Sequence, residues 1–482
     1  MGELASSGPR MRRRRFVSTG VVAAAAVTGV PGLLTGCAAG STGSASAGAP
    51  APQPAQPVTT LIIQPWRFDG GKVLQSVMGA NLAGFEAQHP GVRVVMTVGE
   101  APSIAALLAG DAPDVIQAND EMPYVAGAFI LPLDAYLKKD NVDPAIWPAL
   151  QIDASRLGGK LHGLPSYFNM VVMMANHTAF DEVGLAYPSP DWTAAEFVKV
   201  AAAMTTTKGG KKRYGAALLW TYGGPTDMEY VLEGFGGGLM DATDTVCRLG
   251  DPGSVAAGEW VYQQLLWPGI ATEQDVLAAV VTGNAAVGPA RPDQLVFDTN
   301  LVARSSGFKW DFLPMPRFPH GRATNAPAQY YMINAGSKSP DLAWELVKWI
   351  SVEPSWQQMM MRLALIPPSL ISLQAEWEAV VLSVVPPLKG KSLKWFGDAL
   401  QQNYAYPYRH FAYSDSQATK LMGGYTQQLA ARKTDVPLAF AQAAQQVNAQ
   451  ERIGTQTLMA QASMSKEFPA VGPMIASVQP GL

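Results

Sequence analysis

Thr59–Pro65 (TTLIIQP), Val73–His89 (VLQSVMGANLAGFEAQH), Val92–Val98 (VRVVMTV), Ser103–Ala109 (SIAALLA) and Asp114–Gln117 (DVIQ) follow one another along the chain. They read as strand, helix, strand, short helix and strand. In the long helix Leu74, Val77, Leu82 and Phe85 recur at helical spacing, and Pro90-Gly91 stops it. Ser103 stands where an N-cap belongs. This alternation gives a parallel α/β sheet covered on both faces. Ligands meet such sheets at the carboxyl ends of the strands, which here are Pro65-Trp66-Arg67 and Ala118-Asn119-Asp120.

Further along, Lys160–Ala175 reads as strands around Pro165, Thr193–Met204 as a helix and Gly215–Trp220 as a strand. Ser254–Leu266 and Glu273–Val281 read as helices, Ala285–Val287 and Gln329–Ile333 as strands, and Pro340–Val352 as an amphipathic helix. From Gln374 onward helices dominate.

The first residues form a different kind of segment. Arg12–Arg15 precede an apolar, alanine-rich stretch from Val21 to Val27 that trails to Leu34. A charged n-region, an apolar h-region and a small-residue end make a secretory signal. The stretch is too short, and too interrupted by Gly29, Pro31 and Gly32, for a spanning helix of about 20 apolar residues. Arg13-Arg14-Arg15-Phe16-Val17 resembles the twin-arginine export motif. Leu34-Thr35-Gly36-Cys37 resembles a bacterial lipobox, in which the cysteine thiol takes a diacylglyceryl group and becomes the mature N-terminus. Residues 1–36 are therefore expected to be a signal peptide. Residues 37–57, uncharged and rich in Gly, Ala, Ser, Thr and Pro, are expected to be a lipidated end and flexible tether. The chain has 2 cysteines, so lipidation of Cys37 leaves Cys247 with no partner for an internal disulfide.

Removing that segment takes five arginines and Glu3 from the 35 Lys+Arg and 38 Asp+Glu of the full chain, leaving 30 against 37. This balance carries no nucleic-acid footprint. Many of the 12 Trp and 15 Tyr are expected in the core, and the number leaves several for a ligand site. The five histidines stand at no metal-ligand spacing, and H-E-x-x-H, G-x-S-x-G and C-x-x-C are absent. Gly390-Lys391-Ser392 lacks the upstream glycine of a phosphate loop. The expectation is a binding protein with no catalytic residues, no metal and no cofactor. A carboxylate pair for glycoside hydrolysis is the rival reading.

Several segments together resemble one family. Gly110–Ile116 (GDAPDVI), Leu131–Asp134 (LPLD) and Gly159–Pro165 (GKLHGLP) are similar in sequence and order to segments of bacterial extracellular solute-binding proteins of the carbohydrate type, family 1. So are Phe180–Leu185 (FDEVGL), Asp191–Phe197 (DWTAAEF), Gly283–Val287 (GNAAV) and Asn334–Ile350. His162 stands where that family often has Tyr, and Ala175 where it often has Tyr, so the hinge departs from the pattern.

The resemblance implies a two-lobed, periplasmic-binding-protein-like α/β fold (type II) with a ligand cleft between lobes. It places the N-terminal lobe in 58–165 plus 330–366 and the C-terminal lobe in 166–329 plus 367–482. It also implies a monomer that delivers a small solute, a sugar or oligosaccharide, to an ABC permease in the membrane. A non-sugar solute, or a sensory role, keeps the same fold. Sugar sites stack aromatics on ring faces and aim polar side chains at hydroxyls. On that chemistry the expected ligand residues are Trp66, Asn119, Asp120, Phe168, Asn169, Trp220, Tyr222, Arg291, Tyr330 and Tyr408. For Trp66 a core position, for Asn119 and Asp120 a helix cap, and for Arg291 a surface position are the alternatives.

Overall fold

The computed structural model describes residues 58–65, 72–97, 102–118, 124–125, 127–218, 220, 225–241, 246–274, 276–296, 307–401, 404–406 and 415–467. The strands that build the lobes are β1 (Thr59–Gln64), β2 (Val92–Met96), β3 (Val115–Ala118), β4 (Leu164–Phe168), β5 (Val172–Asn176), β6 (Lys211–Ala217), β7 (Ala271–Thr272), β8 (Ala285–Ala290), β9 (Trp310–Leu313), β10 (Thr324–Asn325), β11 (Ala328–Ile333) and β12 (Ala405–Tyr406). The helices used below are α1 (Lys72–Gln88), α2 (Ile104–Ala109), α3 (Ala194–Met204), α4 (Val276–Val281), α5 (Pro340–Ser351), α6 (Pro354–Ala364), α7 (Gln374–Val384) and α8 (Lys394–Gln401).

Two sheets repeat one plan. The first has the order β2-β1-β3-β11-β4, with β1 parallel to β2 and β3, and β11 antiparallel to β3 and β4. The second has the order β7-β6-β8-β5-β9, with β6 parallel to β7 and β8, and β5 antiparallel to β8 and β9. In each, an antiparallel strand from elsewhere in the chain is inserted after a parallel trio. That insertion ties the two lobes together.

Central strands covered on both faces read as continuous apolar runs, and β5, β8 and β11 are buried at every residue. Helix α1 covers the first sheet through Met78, Leu82 and Phe85. Val77 is half-buried, and the Leu74 side chain lies outside the described residues. Helix α5 adds Ala343, Trp344, Val347 and Ile350 to the same core. The second sheet is sandwiched: α4 packs Leu277 and Val280 with Met174 and Ala217 on one side, and α3 packs Phe197 and Ala201 with Met173 and Ala216 on the other. Thr193 and Glu196 close a capping box at the start of α3.

Three elements depart from expectation. The β6 strand starts at Lys211, not Gly215, because the exposed Lys211 and Lys212 pair in a hairpin with Thr206–Lys208, where charge is tolerated. The helix expected from Glu273 starts at Val276, after Gln274 N donates to Thr272 Oγ1 at 3.1 Å. The chain leaves the first sheet after Phe168, and Pro165 sits inside that sheet opposite Tyr330. A register shift between Gln329 and Tyr330 accommodates the proline, which has no N–H for the ladder. The expected lobe edges at 165 and 330 therefore fall within strands.

The crossings between sheets are Asn169–Val171, the segment from Leu313 to Ala328, and the segment after α6. The third lies against the first: Phe168 N donates to Pro367 O at 3.1 Å, and Ser369 N to Ser166 O at 3.1 Å. Among the described residues no helix is long and apolar enough to cross a membrane.

Candidate functional site

The carboxyl ends of β3 and β4 and the amino end of β11 lie together at the crossing end of the first sheet. Strand register puts Gln117 opposite Tyr331 and Gln329 opposite Tyr167, so these four side chains share one face. All four are buried. Gln117 Nε2 donates to Tyr167 Oη at 2.7 Å and to Gln329 Oε1 at 3.5 Å, and Tyr331 Oη donates to Gln117 Oε1 at 3.1 Å. Burial pushes both tyrosine hydroxyls far above the usual phenol range, so they stay protonated. The set offers neutral hydrogen-bonding groups and no nucleophile.

The second lobe faces this network with the turn after β8. Arg291 N donates to Gln294 Oε1 at 2.8 Å, and Arg291 Nε lies 3.7 Å from Asp293 Oδ1. The Asp293 carboxylate adds to the upward push that burial exerts on the Tyr167 hydroxyl, which the Gln117 amide opposes. Charge on the second-lobe turn is thus felt at the first-lobe network.

A third group lines the return crossing. Strand β10 pairs in parallel with β12, Thr324 N donating to Tyr404 O at 3.0 Å and Ala326 N to Tyr406 O at 2.7 Å. Asn325 is buried and Tyr406 half-buried. Burial raises the Tyr406 hydroxyl, helped by the Glu233 carboxylate on the helix Glu229–Gly234. Asp227 and Glu229 are buried carboxylates at the start of that helix. Among the described residues no group of three or more His, Cys, Asp or Glu side chains is placed to hold a metal ion.

The residues expected from sequence divide into three sets. Trp66, Asn119, Asp120, Tyr222 and Tyr408, like Cys37, lie outside the described residues. Asn169 and Arg291 stand at the crossing and at the facing turn; Asn169 N donates to Pro327 O at 2.9 Å. Phe168, Trp220 and Tyr330 are turned elsewhere. Phe168 packs on Phe396 with ring centroids 5.4 Å apart. Trp220 is 0% exposed in the second-lobe core, edge-on to Tyr262. Tyr330 donates its hydroxyl to Gln151 O at 2.7 Å, on the face opposite Gln117. Its neighbour Tyr331 is the one that joins the network. Gln117, Tyr167, Gln329, Asp293 and Tyr406 were not among the expected residues. A glutamine inside an apolar strand was the available signal for Gln117.

Two α/β lobes of one plan, joined by crossing strands with polar groups at their facing ends, are the form of a protein that closes on a solute. The family model of the bacterial extracellular solute-binding proteins matches residues 68–354. The chain belongs to that family. As an extracellular solute-binding protein it works outside the cytoplasm.

Solved structures share the fold of this solute-binding protein. An ABC substrate-binding protein of Listeria monocytogenes in complex with cycloalternan matches with a TM-score of 0.66 at 18% identity, over 81% of this chain and 98% of that one. A cyclic α-maltosyl-1,6-maltose binding protein of Arthrobacter globiformis matches with a TM-score of 0.66 at 17% identity, over 83% and 100%. The GacH receptor of Streptomyces glaucescens, solved unliganded and with acarbose, matches with a TM-score of 0.61 at 18% identity, over 82% and 99%.

Proposed function

We propose that this protein captures a sugar or oligosaccharide between its lobes and hands it to an ABC-type importer, as a monomer held to the membrane by a lipid on Cys37. The observation that carries the reading is the buried network of Gln117, Tyr167, Gln329 and Tyr331 at the crossing end of the first lobe. Neutral donors and acceptors of this kind suit hydroxyls, whereas an anion site would converge Arg, Lys or helix N-termini. Relatives of the same fold were solved with cycloalternan and with acarbose, which supports a carbohydrate ligand. The lipobox-like Leu34–Cys37 and the uncharged tether behind it support the anchor. The protein is a carrier in this reading, in keeping with its place in a family of solute-binding proteins.

Thermal unfolding with linear and cyclic oligosaccharides, polyols, amino acids and peptides tests the ligand class. A saturating sugar should stabilise the folded state by about 2.7 kcal/mol at a hundredfold excess over Kd. A shift with another solute class alone overturns the carbohydrate assignment. Separately, Cys37→Ala should release the exported protein from the membrane fraction, and retention there overturns the anchor.

A further inference from the structure

The hairpin that opens β6 carries a basic tip that the cleft network does not use. Gly209 and Gly210 turn the hairpin with φ of 58° and 76°, the two left-handed residues that a type I′ turn requires. The ladder then sets Lys208 directly opposite Lys211. Like charges in that position destabilise a strand pair, so hairpin stability gives no reason for the second lysine.

Two further turns meet this hairpin on the surface of the second lobe. Lys212 Nζ stands 5.0 Å from the Tyr214 ring centroid. It would lie 2.6 Å from a Cβ on Gly269, so the ammonium rests against the turn Trp267–Gly269. On the same turn the Arg432 guanidinium covers the Trp267 ring, 5.4 Å from its centroid, and donates to Trp267 O at 2.8 Å. Arg432 belongs to the turn 431–435 between the helices Asp415–Ala430 and Val436–Glu467, which also carries Lys433. Trp267 Nε1 donates to Leu429 O at 3.0 Å and fastens the two turns together.

Lys211, Lys212, Arg432 and Lys433 are exposed, as is Pro268, while Tyr214 and Trp267 are half-buried beneath them. Among the described residues none of the four cations makes an ion pair. The next basic residue, Arg213, is built differently: it is buried, with Nη1 on Glu182 Oε2 at 2.7 Å. The acid of the turn 431–435 is Asp435, which accepts from Leu438 N at 2.9 Å. This local excess of positive charge runs against a chain that, without its signal segment, has 30 basic residues against 37 acidic.

We infer that this surface docks on the anionic headgroups of the bilayer to which the protein is anchored, and so fixes which face of the second lobe meets the membrane. Two features favour a bilayer over an acidic protein. Tryptophan and tyrosine rings at the foot of lysine and arginine stems match a water–lipid boundary, where rings sit at headgroup level and cations reach the phosphates. The tether from Ala38 to Pro57 is uncharged, and its root-mean-square span is roughly 25 Å, so the body stays beside the bilayer. The inference rests on the anchored reading: the lipid sets the distance, and the basic surface sets the orientation.

The exported chain from Ala38 onward carries neither signal nor lipid and keeps every described residue. Its partition is measured by co-sedimentation with vesicles of phosphatidylcholine alone and with about 30% phosphatidylglycerol. Salt at about 0.1 M limits electrostatic reach to about 10 Å, so nearby cations outweigh distant acids. Wild type should bind the phosphatidylglycerol vesicles and leave the neutral ones. The variant with Lys211→Gln, Lys212→Gln and Lys433→Gln should bind about tenfold more weakly or worse, since each cation near an anionic surface is worth several-fold. A control of equal charge change, Lys138→Gln with Lys139→Gln and Lys160→Gln, should bind as wild type does. No binding by wild type, as an acidic protein partner would give, overturns the inference. So does equal binding by the first variant, or an equal loss in the control. A wash of cell membranes at about 1 M salt separates this reading from the anchor. It releases protein held by the basic surface and leaves lipid-held protein in place, so each reading fails by its own sign.

Discussion

The side-chain amide of Gln117 reaches past the intervening strand β11 to donate to the Tyr167 hydroxyl oxygen at 2.7 Å. The same amide accepts from Tyr331 at 3.1 Å. Gln117→Leu strips both tyrosines of this partner inside the sheet. A lost partner at a buried polar group costs about 1–3 kcal/mol. The urea midpoint should fall with an unchanged slope, since the surface exposed on unfolding stays the same. Unfolding at the wild-type midpoint would show that the network does not hold β3, β11 and β4 together.

Trp220 separates packing from recognition. The side chain is 0% exposed and meets Tyr262 edge-on, with centroids 6.4 Å apart. Trp220→Ala should therefore cost about 3–5 kcal/mol, the range for removing a large buried aromatic. Solute affinity per folded molecule should be nearly unchanged by calorimetry. A large affinity loss with little loss of stability would return Trp220 to the ligand site.

Gly215 is where α3 lies on β6. A Cβ at this position would stand 1.8 Å from the Ala201 carbonyl oxygen, which is backbone and has no rotamer to yield. Gly215→Ala forces helix and strand apart and should destabilise by about 1–3 kcal/mol or more, as overpacking does. Thermal unfolding checks this. A midpoint equal to wild type would mean that the helix sits farther from the strand.

The first lobe was legible because its signals are local. Apolar runs, the stop at Pro90-Gly91 and the Ser103 cap, which accepts from Ala106 N at 3.2 Å, all lie within a few residues of the elements they define. The insertion of β11 between β3 and β4 was not legible as a register. It joins Gln117 to a residue 214 positions away, and no periodicity encodes that distance. Alternation along a strand shows that Tyr330 and Tyr331 face opposite ways, but choosing the inward one needs the bulge beside Gln329, which only pairing reveals. Trp220 shows the same limit for aromatics: the sequence supplies a ring at the end of an apolar run, and packing against Tyr262 decides what the ring does. The family resemblance could be read because its motifs sit in order along the chain, and each of them is short and local.

Cys247 should be silent in the folded protein. It is buried and has no disulfide, and burial pushes its thiol up to about 12, so thiolate is scarce at neutral pH. A chromogenic disulfide reagent should leave it unmodified in buffer and react fully in denaturant. Rapid reaction under native conditions would mean that the Met240–Cys247 bridge opens readily.

Acid should weaken the fold through two histidines. Burial holds both His162 and His177 below their ordinary value, against the upward pull of the Leu157 backbone and Asp134 on the first and of Asp311 on the second. Lys160 faces His162, while Asp181, Lys309 and Lys391 face His177. A group whose folded value is depressed binds fewer protons folded than unfolded, so stability rises with pH across the window between the two values. The stabilisation is complete above the unfolded value of about 6.5 and is lost as pH falls through the lower folded one. His177 also stacks on Tyr187, with centroids 3.9 Å apart and planes 6° apart. His177→Phe keeps a flat ring there and removes the proton. The stability difference between variant and wild type should be constant above about pH 7.5, and should shift in favour of the variant toward about pH 5. A difference that stays flat across that range would show that the imidazole keeps its solvent-like proton affinity, and that its burial does not couple to folding.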